Sequence, residues 1–200
     1  MEKEIWFEAT GTYAVLMENP AAMKAPSSGT TTRKRIPTPE EEAESLAYRM
    51  ASGQLHAKSE MFRSAVIDAV IGRKVGKLAA KGVFQGNLFD EQEMCPLFHP
   101  ATRAPLMEYE IDTRRVVVQG NGVMRSRPKL REWACQFRFL YDDEALTPEM
   151  ILEAAVRAGK VIGIMGFRPK PPPGIKSGKG GPYGRFSVVM IRGGERVAAA

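Results

Sequence analysis

The chain has 200 residues, 44% of them apolar, and its 29 lysines and arginines outnumber its 23 acids to leave a formal charge of +6. That is enough apolar material for one sizeable core in a single domain, and a pI near 9.4 favours an anionic partner over a basic one. Two cysteines exclude a disulfide framework, no apolar run approaches the ~20 residues that cross a bilayer, and Met1 is followed by Glu-Lys-Glu rather than by a basic and then hydrophobic leader. A cytoplasmic protein with no membrane partner is expected.

Residues 5–17 are rich in β-branched and aromatic side chains and are broken by Gly11, which predicts one kinked strand or two short ones. From 18 to 38 the composition turns to Asn-Pro, Ser-Ser-Gly and Thr-Thr-Thr before Arg33-Lys34-Arg35. Having neither hydrophobic period, this stretch reads as a flexible basic arm. Thr38-Pro39-Glu40-Glu41 combines a hydroxyl cap, a first-turn proline and acids for the positive end of a helix dipole. Ala43, Leu46, Ala47 and Met50 then supply a buried stripe. A second helix is predicted from Ser59, with Phe62, Ala65, Val66, Ala69 and Val70 at helical spacing, and Val75, Leu78 and Ala79 extend the pattern past Gly72.

Strands are expected over 106–111 and 115–124 around Asp112-Thr113, or as shorter strands turned at Gly120-Asn121-Gly122. Trp133, Cys135, Phe137, Phe139 and Tyr141 alternate with Ala134, Gln136, Arg138 and Leu140, the pattern of a half-buried strand whose aromatic face is core. Thr147-Pro148-Glu149 opens a third helix, with Met150, Ile151, Ala154, Ala155 and Ala158 inward and Gly159 to end it. Residues 168–185 are built of prolines, glycines and basic side chains without one acid, which excludes a helix or a central strand and predicts a long basic loop. Phe186 to Ile191 reads as the strand that anchors this loop, and the remaining tail is expected to fray. The resulting order is strand, helical region, strand, strand, helix, strand. It predicts one elaborated α+β domain over 1–200, a ferredoxin-like antiparallel sheet with two helical layers on one face and a helical insertion.

Charge is clustered as well as abundant. Segment 114–138 holds Arg114, Arg115, Arg125, Arg127, Lys129, Arg131 and Arg138 against Glu132 alone. Arginines bridge phosphate oxygens and stack on bases; the bland reading is a strand edge kept soluble by charge. In the terminal loop Arg168, Lys170, Lys176, Lys179 and Arg185 supply charge, glycines let backbone amides approach a phosphate, and Tyr183 offers a ring; the bland reading is a plain connection. Gly178-Lys179-Gly180-Gly181 lacks the Gly-Lys-Ser/Thr spacing of a P-loop. Of the two histidines, His56 is a candidate general acid or base but reads as a lone exposed histidine without a recognisable partner, and His99 follows Cys95 with no second ligand pair to complete a metal site. No nucleophile elbow, His-Glu-x-x-His helix or dinucleotide fingerprint is present, so neither a cofactor, a metal nor a catalytic set is expected.

The segments Tyr13-Ala14-Val15-Leu16-Met17-Glu18-Asn19-Pro20 and Gly180-Gly181-Pro182-Tyr183-Gly184-Arg185-Phe186, with the element order, resemble RAMP-type proteins. That superfamily contains CRISPR-associated RNA-binding backbone proteins and guide-RNA processing endonucleases, and similar patterns resemble uncharacterised bacteriophage proteins. The resemblance covers mainly the two ends of the chain. It implies an RRM-related sheet that binds single-stranded nucleic acid through basic loops. The processing enzymes' glycine-rich signature is only partly matched, and no catalytic histidine carries over. The expectation is a non-catalytic binder of single-stranded DNA or RNA, assembling as a homo-oligomer along the strand or in a viral nucleoprotein complex, in the host cytoplasm if viral. Its contacts would come from Arg33, Lys34, Arg35, Arg114, Arg115, Arg125, Arg127, Lys129, Arg168, Lys170, Lys176, Lys179, Tyr183 and Arg185. The alternatives are a metal-independent RAMP-type ribonuclease using His56, and a structural or anti-defence phage protein that binds an acidic protein.

Overall fold

Strand β1 (Glu2–Gly11) buries Ile5, Phe7 and Ala9 on one face, the two-residue period of a half-covered strand. It stops where Gly11 meets Trp133: a Cβ at Gly11 would run into the indole. The chain then enters β2 (Val15–Leu16), so residues 5–17 form two strands that belong to different sheets. The computed structural model describes residues 1–20, 37–118, 121–169, 180–192 and 195–197. Arg33, Lys34 and Arg35 of the predicted arm, and Lys170, Lys176 and Lys179 of the terminal loop, lie outside the described residues.

Helix α1 (Pro39–Leu46) starts at the expected Thr38 cap, which forms a capping box in which Glu41 N donates to Thr38 Oγ1 at 3.3 Å and Thr38 N donates to a Glu41 carboxylate oxygen at 2.9 Å. After β3 (His56–Lys58), α2 (Ser59–Ala69) buries Phe62, Ala65, Val66 and Ala69. Helix α2 does not continue through Val75 and Leu78. Gly72, at φ 81°, turns the chain into a small hairpin of β4 (Lys74–Val75) and β5 (Leu78–Ala79), and Leu78 is left exposed. An additional helix, α3 (Ala80–Asn87), follows and buries Ala80 and Phe84.

Two short strands, β6 (Leu88–Phe89) and β7 (Met94–Pro96), precede a long hairpin of β8 (Glu110–Val118) and β9 (Asn121–Leu130). The two strands meet at the pair Val118↔Asn121, with Gly122 already inside β9, and Asp112-Thr113 lies inside a strand; the expected strands over 106–111 and 115–124 are displaced toward the C-terminus. In β10 (Ala134–Asp142), Cys135, Phe137, Phe139 and Tyr141 are buried as the alternation required. Helix α4 (Pro148–Val161) is capped by Thr147, whose Oγ1 accepts from Met150 N at 3.3 Å. Gly159 does not end this helix. It packs on the last long strand, β11 (Phe186–Arg192), where a Cβ would strike the Phe186 carbonyl oxygen, and the helix ends instead at Gly163, φ 68°. The tail also differs from expectation, since β12 (Glu195–Val197) pairs back onto β11.

The fold is α+β, with four helices and antiparallel sheets among the described residues. The main sheet has the order β12-β11-β1-β10-β6. Helices α2 and α4 pack against each other and cover its apolar face: Phe62 stacks on Phe137 with centroids 4.2 Å apart and meets Phe186 edge-on at 5.5 Å. The place beside β10 is held by two-residue β6, while the β8–β9 hairpin stands outside this sheet and pairs with β2 in a second one, β2-β9-β8. Helix α1 packs on that second sheet. No described helix is long and apolar enough to cross a membrane.

The same substitution is expected to act oppositely at two helical glycines. Gly159→Ala forces α4 off β11 and should cost about 1–3 kcal/mol, whereas Gly82→Ala on α3, where a Cβ meets nothing within 4 Å, should stabilise by up to ~1 kcal/mol. Urea denaturation of both variants measures the pair.

Candidate nucleic-acid interface

Alternation along the β8–β9 hairpin decides where its charges go. The register Glu110↔Lys129, Asp112↔Arg127 and Arg114↔Arg125 puts Arg114, Arg125, Arg127 and Lys129 on one face, and Arg115, paired with Met124, on the other. The first group is largely compensated by acids, some of β8 itself and some from distant segments. Arg114 donates to both Asp112 carboxylate oxygens at 2.5 Å, Arg125 to Glu42 of α1 at 2.7 Å and Arg127 to Glu18 at 2.9 Å. Lys129 lies 3.7 Å from Glu110, which also takes Arg131. The excess of positive charge is thus a property of the segment and much less of its surface. Exposed Arg115 lies across Gly122 and makes no ion pair among the described residues; the same holds for partly exposed Arg168.

The two ends of the glycine-rich region close over this face. Phe167 lies against two guanidinium groups, with the Arg114 carbon 5.2 Å and the Arg127 carbon 5.3 Å from its ring centroid. Arg114 also donates to the Tyr183 hydroxyl at 2.7 Å and sits 4.8 Å from that ring, which in turn meets Tyr13 edge-on at 5.3 Å. Tyr13 is the outward member of the group, 44% exposed. Backbone bonds from Gly166 N to Leu16 O at 2.9 Å, Ile164 N to Gly184 O at 3.0 Å and Gly184 N to Ala14 O at 2.9 Å hold the segment in place. They also hold Met165 and Phe167 at φ 63° and 53°, left-handed values that cost a non-glycine residue about 1–3 kcal/mol each and that gather at ligand sites.

The hairpin is also where the chain's other basic regions are tied down. Gly181 N donates to Arg168 O at 3.1 Å, so the terminal loop leaves and rejoins the body at one point, beside Phe167 and Tyr183. The arm departs after Glu18, bound to Arg127, and Asn19, whose backbone N donates to Leu46 O at 3.1 Å. It returns into α1, whose Glu42 binds Arg125 and accepts from Ser126 N at 2.9 Å. Arg185 is exposed and steadied by a bond from its Nε to Lys160 O at 3.1 Å.

Arg127 is the unusual member. It is only 6% exposed, and its Nε and Nη1 are buried with no hydrogen-bond partner among the described residues. Unmet buried donors cost about 1–3 kcal/mol each, more when charged. Gly166 permits the counter-charge, because a Cβ there would meet the Glu18 carboxylate.

His56 is not the exposed histidine expected of a general acid or base. It is 6% exposed in β3, its Nδ1 3.1 Å from Ala57 O and its ring edge-on to Tyr48. His99 organises a turn, its Nδ1 accepting from Ala101 N and Thr102 N while Nε2 donates to Glu132 at 3.2 Å. Both cysteines are buried and free, and burial raises the Cys95 thiol to about 12. No group of three potential metal ligands occurs among the described residues.

The chain matches no protein-family model and no curated protein sequence. Sequence reasoning named Arg114, Arg127 and Tyr183 but missed Phe167, Tyr13 and the counter-ions Glu18, Glu42 and Asp112. Phe167 had a visible signal: Phe167-Arg168 before the loop mirrors Tyr183-Gly184-Arg185 after it.

Arg114 holds the Asp112 carboxyl below the ordinary aspartate value. The resulting stability is fully present above pH 3.8, that ordinary value, and is lost as the pH falls through the depressed one. Thermal midpoints at neutral pH and at about pH 2–3 should show wild type losing more stability than Asp112→Asn.

Proposed function

We propose that this protein is a non-catalytic binder of single-stranded DNA or RNA whose contacts centre on the β8–β9 hairpin and the ends of the glycine-rich loop. The observation that carries this reading is convergence: the 18–38 arm, the hairpin and the 168–185 loop are distant in sequence, yet all have their anchor points around β9. A net charge of +6 supplies attraction to a polyanion, and Arg115, Arg168 and Arg185, none of them locked to a carboxylate among the described residues, are the described cations best placed to meet phosphates. Arg33, Lys34, Arg35, Lys170, Lys176 and Lys179 would add charge from the two anchored segments. Tyr13 offers the exposed ring for a base.

The main-sheet order supports a ferredoxin-like, RRM-related reading. With β12 set aside, β11-β1-β10-β6 places the fourth, first, third and second strands side by side, with α2 and α4 as the crossing helices on one face. A RAMP-type relationship, in a cellular or phage protein, fits that order together with the glycine-rich strap. A cytoplasmic setting fits the free, buried cysteines. Binding through the strand's backbone favours assembly of several copies along it, which size-exclusion chromatography with and without oligonucleotide would reveal.

Fluorescence anisotropy with matched single-stranded and duplex oligonucleotides over a salt series tests the reading. Single strands should bind tighter than duplex, with a slope that falls by about 0.7 for each of Arg115→Gln, Arg168→Gln and Arg185→Gln. Labelled RNA should be shifted intact in EDTA, since buried His56 lacks access to a phosphodiester. Absence of binding at low salt to every DNA and RNA oligonucleotide would remove the proposal, and cleavage would replace it with the ribonuclease reading.

A further inference from the structure

Arg127 differs from the other cations of the hairpin in having donors to spare inside the protein. Glu18 engages Nη2 at 2.9 Å, while Nε and Nη1 are enclosed and have no partner among the described residues. A guanidinium stays charged at any accessible pH, and interiors rarely hold such donors without an acceptor. What encloses them includes the Phe167 ring, 5.3 Å from the guanidinium carbon, and Phe167 stands on a left-handed backbone at φ 53°. A cover on a strained residue lies over a cation with unused hydrogen-bonding capacity. Arg114, on the same ring, has no comparable vacancy among its roles: Asp112 takes it twice and Tyr183 once.

We infer that Arg127 is a gated recognition centre for a backbone phosphate of the bound strand, reached when Phe167 moves off the guanidinium. The inference rests on the nucleic-acid reading and deepens it: Arg168 and Arg185 capture the strand from solvent, and Arg127 receives one phosphate oxygen on Nε or Nη1 while Glu18 keeps Nη2. Relaxation of Phe167 from its left-handed conformation lowers the cost of opening. The salt bridge to Glu18 keeps the cation in register, so the incoming oxygen meets a donor already oriented.

Two readouts in one titration test this. ¹⁵N-labelled wild-type protein receives a single-stranded oligonucleotide while anisotropy follows binding and NMR follows the Arg127 Nε–H, assigned by its contact with the Phe167 ring and its loss in Arg127→Lys. The resonance should move downfield in proportion to occupancy. Binding by anisotropy with an unmoved Nε–H at saturation would overturn the inference and leave the nucleic-acid reading standing; absence of binding would overturn both. Phe167→Gly, in which glycine adopts the left-handed backbone without strain, should bind at least as tightly as wild type. A loss of about tenfold would make Phe167 a ligand-stacking ring and defeat its assignment as a cover.

Discussion

A charged guanidinium enclosed between one carboxylate and one aromatic ring is the joint on which the interface depends. Arg127 belongs to β9, Glu18 to the segment that follows β2, and Phe167 to the strap after α4. None of these segments can leave without exposing the others' unsatisfied groups in a medium where charge is poorly screened. The second sheet, the start of the arm and the glycine-rich strap therefore form one unit. Arg114 repeats the arrangement one pair further along the hairpin, tied to Asp112, Tyr183 and Phe167.

This unit separates two uses of positive charge. Arg114, Arg125 and Lys129 hold the architecture together through Asp112, Glu42 and Glu110, and their contribution to a distant polyanion is largely cancelled by those partners. Arg115 and Arg168 lack such partners among the described residues, and the strand's pleat turns Arg115 to the opposite face of the hairpin. Arg127 belongs to both groups, half satisfied by Glu18 and half open. Under the proposed function such a surface would read charge and spacing, with an exposed tyrosine ring for stacking, and would have little means of reading base identity.

The main sheet was legible where packing had left a period. Trp133 through Tyr141, the Thr38 and Thr147 caps, and the stripe from Phe62 to Ala69 announced their own burial, because alternate or helically spaced apolar side chains have one economical arrangement. Short elements carried no such signature. Strand β6 has two residues and was not foreseen, yet it, and not the long hairpin, flanks β10. Gly159 misled for a related reason, since a helical glycine needed for close approach to β11 looks in sequence like a helix stop.

The amino-acid sequence by itself determined the α+β composition, the three principal helix starts, the aromatic face of β10 and the uneven distribution of basic residues, all of which follow from local propensity and periodicity. Only the tertiary structure decided which of those basic residues remain available. Glu18 and Glu42 neutralise Arg127 and Arg125 through pairings set by where the segment after β2 and helix α1 dock on the hairpin, and sequence distance conceals such pairings. The same three-dimensional closure buried His56, brought Phe167 onto two guanidinium groups and left Arg127 with unmet donors. Composition counts charges; whether a charge is spent inside the protein or offered to a partner depends on what lies a few ångströms away.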